Sequence, residues 1–317
     1  MRDVAQRRTF YFQERKEQSM SETIKSPTTF EEQMDKLHRR GCIIEDYDFA
    51  KKVLQQINYY RFTAYFLPFK QNDDTYKKNT NFTTVYHIYE FDRKMRNILF
   101  AVIEQIELML RTQLSYYHAH KYGALGYLEE SNFSDRHNHK KFLIHVQSNI
   151  CHNKNQKFVQ HHIEKYDSQF PVWVMLELST LGELSFFYSD MHTQDKKELS
   201  NTIFNSHYQN IESWLQCITI LRNYCAHYSR LYYTLFPAQP RTPKRYSHTL
   251  YRRLFDYILV LRFLYPNKQQ WNSSFMPTLK ALIDEYKTEI KLSHIGFTDN
   301  WEEMLTYKFK TITGTII

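Results

Sequence analysis

IYEFDRKMRNILFAVIEQIELMLRTQLSYYH, residues 88–118, decides the fold. Within it Leu99, Val102, Ile103, Ile106, Leu110, Leu114 and Tyr117 recur at three- and four-residue intervals, the spacing that lines one face of an α-helix. The stretch reads as a long core helix closed by Gly123 and Gly126. The rest of the chain agrees, because only six glycines and eight prolines punctuate 317 residues, and sheets need such residues at their frequent turns. With 42% of residues apolar, a substantial core can be buried. The predicted fold class is all-α, a multi-helix bundle with an N-terminal helical hairpin.

Upstream, TTFEEQMDKLHRRG (28–41) carries threonines placed to cap, acids in the first turn, basic residues in the last, and Gly41 to stop it. DYDFAKKVLQQINYYRFTAYF (46–66) reads as a second helix capped by Asp46 or Asp48, and Pro68 with the polar run 71–81 closes this unit. A helix-turn-helix that reads DNA would look the same as any other helical hairpin. Residues 1–27, with a second methionine at Met20, read as an extension that contributes little to the fold. Downstream, helices are predicted over about 140–166, over 171–191 from Pro171, over 211–233 running on to Pro237, and over 249–265 and 276–292. FPAQPRTPKRYSH (236–248), with three of the eight prolines, is an exposed connection, and 297–310 forms a short final helix. The chain thus divides into the extension 1–27, an N-terminal helical subdomain 28–80, a helical core 81–265 and a C-terminal helical extension 266–317.

Forty-two lysines and arginines against 34 acids give a formal charge of +8, which attracts polyanions but also suits a well-solvated basic surface. The 25 tyrosines, 23 phenylalanines and 4 tryptophans can fill a helical core or stack on unpaired bases. Cys42, Cys151, Cys217 and Cys225 are scattered, with no C-x-x-C pair, and read as reduced thiols of a cytoplasmic protein. No apolar run approaches the roughly 18–20 residues that span a bilayer, so no membrane partner is expected. Eight of the fifteen histidines fall between His118 and His162, but no H-E-x-x-H or cysteine partner accompanies them, and no metal or other cofactor is expected. Nucleotide-binding and serine-hydrolase signatures are missing as well.

The segment IESWLQCITILRNYCAHYSRLYY (211–233) carries the chemistry. On a continuous helix Trp214, Ile218, Leu221 and Cys225 form one apolar stripe, while Asn223, His227 and Arg230 share the opposite face and Arg222 flanks them. Cleaving RNA through its own 2′-hydroxyl needs a group that moves protons near neutral pH, which histidine provides. It also needs a fixed cation to hold the phosphate and offset charge on its oxygens, which arginine provides. The plainer alternative is a cap or an ion pair at a helical surface. Arg111 and His118 repeat the pattern seven apart and would serve as a second half-site; the favoured reading is a supporting Glu107–Arg111 ion pair at i, i+4.

Arg222-Asn223-x-x-Ala226-His227 resembles the R-x4–6-H signature of the HEPN superfamily of helical ribonucleases. The blocks at 57–69, 89–114, 121–128, 171–188 and 221–233, in that order, resemble the AbiD/AbiF family of phage-resistance proteins, so the likeness covers roughly residues 28–265. The resemblance implies a HEPN-like core over 81–265 and a bacterial anti-phage abortive-infection role through growth arrest. It implies a metal-independent endoribonuclease with His227 transferring protons, Arg222 clamping phosphate and Asn223 orienting, in a homodimer whose two motifs meet. Glu107, Arg111, His118 and Arg230 would bind RNA or support the site. The rival it leaves open is a non-catalytic protein in stable complex with a small structured non-coding RNA.

Overall fold

The computed structural model describes residues 26–243 and 249–309. The extension read at 1–27 lies, but for its last two residues, outside the described residues, as do the tail 311–317 and residues 244–248 of the proline-rich connection. Among the described residues the protein is all-helical, with no strand and two isolated bridges, Ile43–Asn81 and Lys70–Tyr76.

Helix α1 (Phe30–Arg39) starts in a capping box: the Thr29 hydroxyl accepts from the Glu32 N–H, and the Glu32 carboxylate accepts from the Thr29 N–H. Gly41, at φ +91°, turns the chain into α2 (Tyr47–Gln56), whose cap is Asp46, and the two helices pack as a hairpin. The single helix expected over 46–66 breaks. Ile57 is extended, and the Asn58 side chain accepts from the Tyr60 N–H to start α3 (Tyr59–Thr63), which tightens into a 3-10 stretch, Ala64–Phe69. A side chain that satisfies the backbone locally in this way competes with helix continuation. Phe62, Tyr65 and Phe66 from this stretch are buried.

The long helix α4 (Phe82–Tyr122) is capped by Asn81 and ended by Gly123 at φ +84°; its 41 residues make it about 60 Å long. Ile88, Phe91, Met95, Leu99, Ile103, Ile106, Leu110 and Leu114 form its buried stripe, and two charges, Asp92 and Arg96, sit within that stripe. Expected single helices are again split further on. Residues 140–166 become α5 (His139–His152) and α6 (Lys157–Lys165), and 171–191 become α7 (Val172–Glu177) and α8 (Leu181–Asp190). The second split falls at Thr180, where a Thr180–Glu183 capping box starts α8 afresh.

Helix α9 (Thr193–Phe204) was not predicted. Its inward side carries Asp195, Lys196 and Ser200 with Leu199, so no apolar stripe announces it. Those charges are paired: Asp195 accepts from Lys121 at 2.5 Å and from the Tyr122 hydroxyl at 2.6 Å, and Lys196 donates to Glu212 at 2.6 Å. Helix α10 (Tyr208–Ala226) packs against α4, α8, α9 and α11 (Leu254–Leu264). Nearly every side chain of α11 is buried, as expected for an all-round apolar helix at the centre. The chain ends with α12 (Lys268–Gln270), a π turn (Trp271–Phe275), α13 (Met276–Glu285), which lies on α4, and α14 (Trp301–Leu305).

Candidate functional site

Trp214, Ile218, Leu221 and Cys225 are all buried, so the apolar stripe of α10 faces the core as its spacing requires. Burial pushes the Cys225 thiol up to about 12, which leaves it protonated and without nucleophilic character at neutral pH. On the outer side Asn223 and His227 are exposed and Arg222 is half-buried, its guanidinium 6.0 Å from the centre of the Phe100 ring on α4. The buried Arg222 Nε has no hydrogen-bond partner among the described residues. Among the described residues no carboxylate pairs with Arg222 or His227.

The helix does not run to Pro237. It stops at Ala226, with His227 as its cap: the His227 N–H still donates to Asn223 O at 3.0 Å, and Tyr228 then enters the left-handed region at φ +56°. The i+7 relation that grouped Arg230 with Asn223 and His227 consequently fails. Arg230 is drawn to the N-terminal unit, where it donates to Ala64 O at 2.6 Å, and burial pushes its guanidinium below its ordinary value. One turn away Arg61 donates to Tyr228 O, so the N-terminal unit is bonded directly to the segment that follows His227.

What fixes that segment is a buried node absent from the sequence reading. The Asp92 carboxylate accepts from Arg96 at 2.6 Å, from the Tyr65 hydroxyl at 2.7 Å, and from the backbone N–H groups of Leu231 and Tyr232 at 3.0 and 2.7 Å. Arg96 also donates to Ser229 O at 3.3 Å. Burial pushes the Asp92 carboxyl above its ordinary value, while Arg96 and the other donors pull it down. The available signal was a carboxylate and a guanidinium four residues apart inside an otherwise apolar stripe.

Arg111 donates to Glu107 at 2.6 Å, as the ion-pair reading expects, and also to Ser179 O at 2.9 Å, tying α4 to the break before α8. His118 is fully buried among Tyr122, Phe133 and Phe187, and desolvation pushes it down to about 4. Phe100, which carries Arg222, and His118 stand about 27 Å apart along α4 at 1.5 Å per residue. The structure does not bring this second pair to Arg222 and His227 within one subunit. No group of three or more metal-ligating side chains gathers among the described residues. The histidines of 118–162 form at most pairs: His137 bonds Asp190 at 2.9 Å and His139 at 3.2 Å, His139 also bonds Leu128 O, and His120 bonds Tyr116 O.

Fold and site define an all-helical protein in which α10 ends on a surface histidine and carries, one turn earlier, a guanidinium with no partner anion among the described residues, and none of whose described helices is long and apolar enough to cross a membrane. A family model described as Abi-like protein matches residues 52–233, more than half of the chain, and the chain belongs to that family. Its role accordingly lies in abortive infection. A search of the curated proteins and a search of the solved structures found no match.

Proposed function

We propose that the protein is a metal-independent endoribonuclease of the HEPN type that acts in phage defence. The observation that carries this reading is a guanidinium, that of Arg222, with no partner anion among the described residues, on the same helix end that exposes Asn223 and His227. Arg222 holds the scissile phosphate and offsets charge on its oxygens. His227 moves a proton at the 2′-oxygen or at the departing 5′-oxygen, and Asn223 orients the same group. The 2′-oxygen attacks phosphorus and the 5′-oxygen leaves, so the products carry 2′,3′-cyclic phosphate and 5′-hydroxyl ends. A second copy of the chain supplies the facing motif in a homodimer.

The test is purified protein against tRNA and total RNA in EDTA. Cleavage should survive chelation and vanish in His227→Ala, and equal cleavage by that variant overturns the proposal. Exposed Asn223 and His227 with Arg222 on a basic protein also fit the rival reading, a stable complex with a small structured RNA. In that case one discrete RNA copurifies, binding weakens steeply with salt, and His227→Ala leaves affinity intact.

A further inference from the structure

A cleft of about 480 Å³ lies between α5 and α8, within the roughly 300–1,000 Å³ of sites that take small molecules or single residues of a polymer. Its inner surface is apolar: Val146, Leu176 and Phe187 are buried there, and Phe142 is half-buried. The cleft's lining also includes Phe186, which is 72% exposed and so offers its ring to solvent. Three cationic or titratable side chains, Arg136, Lys141 and His145, line the cleft as well, all exposed and none with a side-chain hydrogen bond or ion pair among the described residues.

The cleft also holds two acids, but each is committed. Glu183 accepts from the Thr180 N–H at 2.7 Å and from the Asn149 amide at 3.0 Å, and Asp190 accepts from His137 at 2.9 Å. Hydrogen bonding leaves both carboxylates charged, but the exposed cations Arg136 and Lys141 carry no bonded partner among the described residues and can meet an anion beside the slot lined by Phe186 and Phe142. Planar apolar groups with attached negative charge fit it, which is the chemistry of a nucleotide: a base stacks on an aromatic face and a phosphate pairs with arginine or lysine. The position is also suitable. Gly182, in the cleft wall, lies against Thr219 of α10, so that a Cβ there would sit 3.5 Å from Thr219 Cγ2, and Thr219 is one turn from Asn223.

We propose that this cleft seats an unpaired ribonucleotide of the RNA strand, its base against Phe186 and Phe142 and its phosphates on Arg136 and Lys141. The proposal rests on the RNA reading of the Arg222–His227 site and adds to it where the strand is held. A strand crossing α8 would thus be gripped before it reaches the motif, and the basic run 134–141 gains a purpose that the motif itself does not give it.

The probe is a short single-stranded RNA carrying 4-thiouridine, photo-crosslinked to full-length His227→Ala protein and mapped by mass spectrometry. Crosslinks are expected within 136–149 or 183–187. Phe186→Ala should weaken binding of the same RNA by roughly five- to a hundredfold, the span for losing one stacked base. Arg136→Gln with Lys141→Gln should flatten the dependence of log affinity on log salt by about 1.4, two charges at about 0.7 each. All three side chains are exposed, so unchanged melting temperatures verify folding. Crosslinks confined to other segments, or variants that bind as the parent does, overturn the cleft. Cleavage by the unsubstituted protein in EDTA, run in parallel, keeps the two ideas apart: cleavage without cleft crosslinks sinks only the cleft, and cleft crosslinks without cleavage sink only the nuclease.

Discussion

Replacing Asp92 with asparagine tests whether the buried node beneath the motif holds the site together. The carboxylate is fully buried and accepts from Arg96, Tyr65, Leu231 N–H and Tyr232 N–H. Asparagine keeps the shape but removes the charge, and leaves Arg96, whose side chain is 5% exposed, as an uncompensated cation in the core. Breaking a buried pair by removing one partner costs about 3–5 kcal/mol. That is a large part of the 5–15 kcal/mol typical of a folded domain, and it corresponds to a fall in melting temperature on the order of 10 °C. The companion variant Asp92→Asn/Arg96→Met removes the stranded charge and should recover much of the loss. Urea and thermal unfolding of the parent, the single and the double variant decide the matter. A single variant within about 1 kcal/mol of the parent, or a double variant no more stable than the single, refutes the reasoning.

His118 sets a pH dependence. Its folded-state value, about 4, lies below the unperturbed 6.5, so as pH falls the unfolded chain binds a proton first. Its contribution is intact above about pH 6.5 and is lost between there and about pH 4, a loss of about 3 kcal/mol that His118→Phe should abolish; parallel urea stabilities of parent and variant across that window would contradict this. Burial pushes the thiols of Cys42, Cys217 and Cys225 up to about 12, whereas Cys151 is exposed, so a thiol reagent should label one of four cysteines in the native protein and all four in urea. Mixing inactive Arg222→Ala and inactive His227→Ala copies should restore part of the RNA cleavage if each site takes its residues from two subunits, and persistent inactivity of the mixture would contradict shared sites.

Legibility followed apolar periodicity. Helix α4 and the inward stripe of α10 could be read because Leu99, Ile103, Ile106 and Leu110, and then Trp214, Ile218 and Leu221, recur at helical spacing. Helix α9 could not, because Asp195 and Lys196 face inward and are stabilised by partners distant in sequence, Lys121 and Glu212. The breaks at Asn58 and Thr180 are decided by local side-chain hydrogen bonds, one at Asn58 and a reciprocal capping box at Thr180, and periodicity averages over such bonds. The motif itself was legible as a spacing. Its neighbours were not, because Arg61 and Ala64 bond the segment after His227 from more than 150 residues away.

The end of α10 at Ala226 bears on how a five-residue spacing can serve one phosphate. On a continuous helix, residues five apart point about 140° away from each other, so Arg222 and His227 would diverge, while Asn223 and His227, four apart, share a side. The structure keeps that divergence: Arg222 leans over Phe100 and is half-buried, whereas Asn223 and His227 stand in solvent. A phosphate resting on His227 and Asn223 of one copy is therefore best met by a guanidinium arriving from elsewhere. In the proposed homodimer a two-fold partner would supply one, if the isologous contact brings each copy's Arg222 to the other's His227. On this argument the Asp92 node has a second use. By bonding Ser229, Leu231 and Tyr232 just past the helix end, it would set the height at which His227 meets its counterpart in the proposed dimer, so that loosening the node should weaken cleavage before it unfolds the chain.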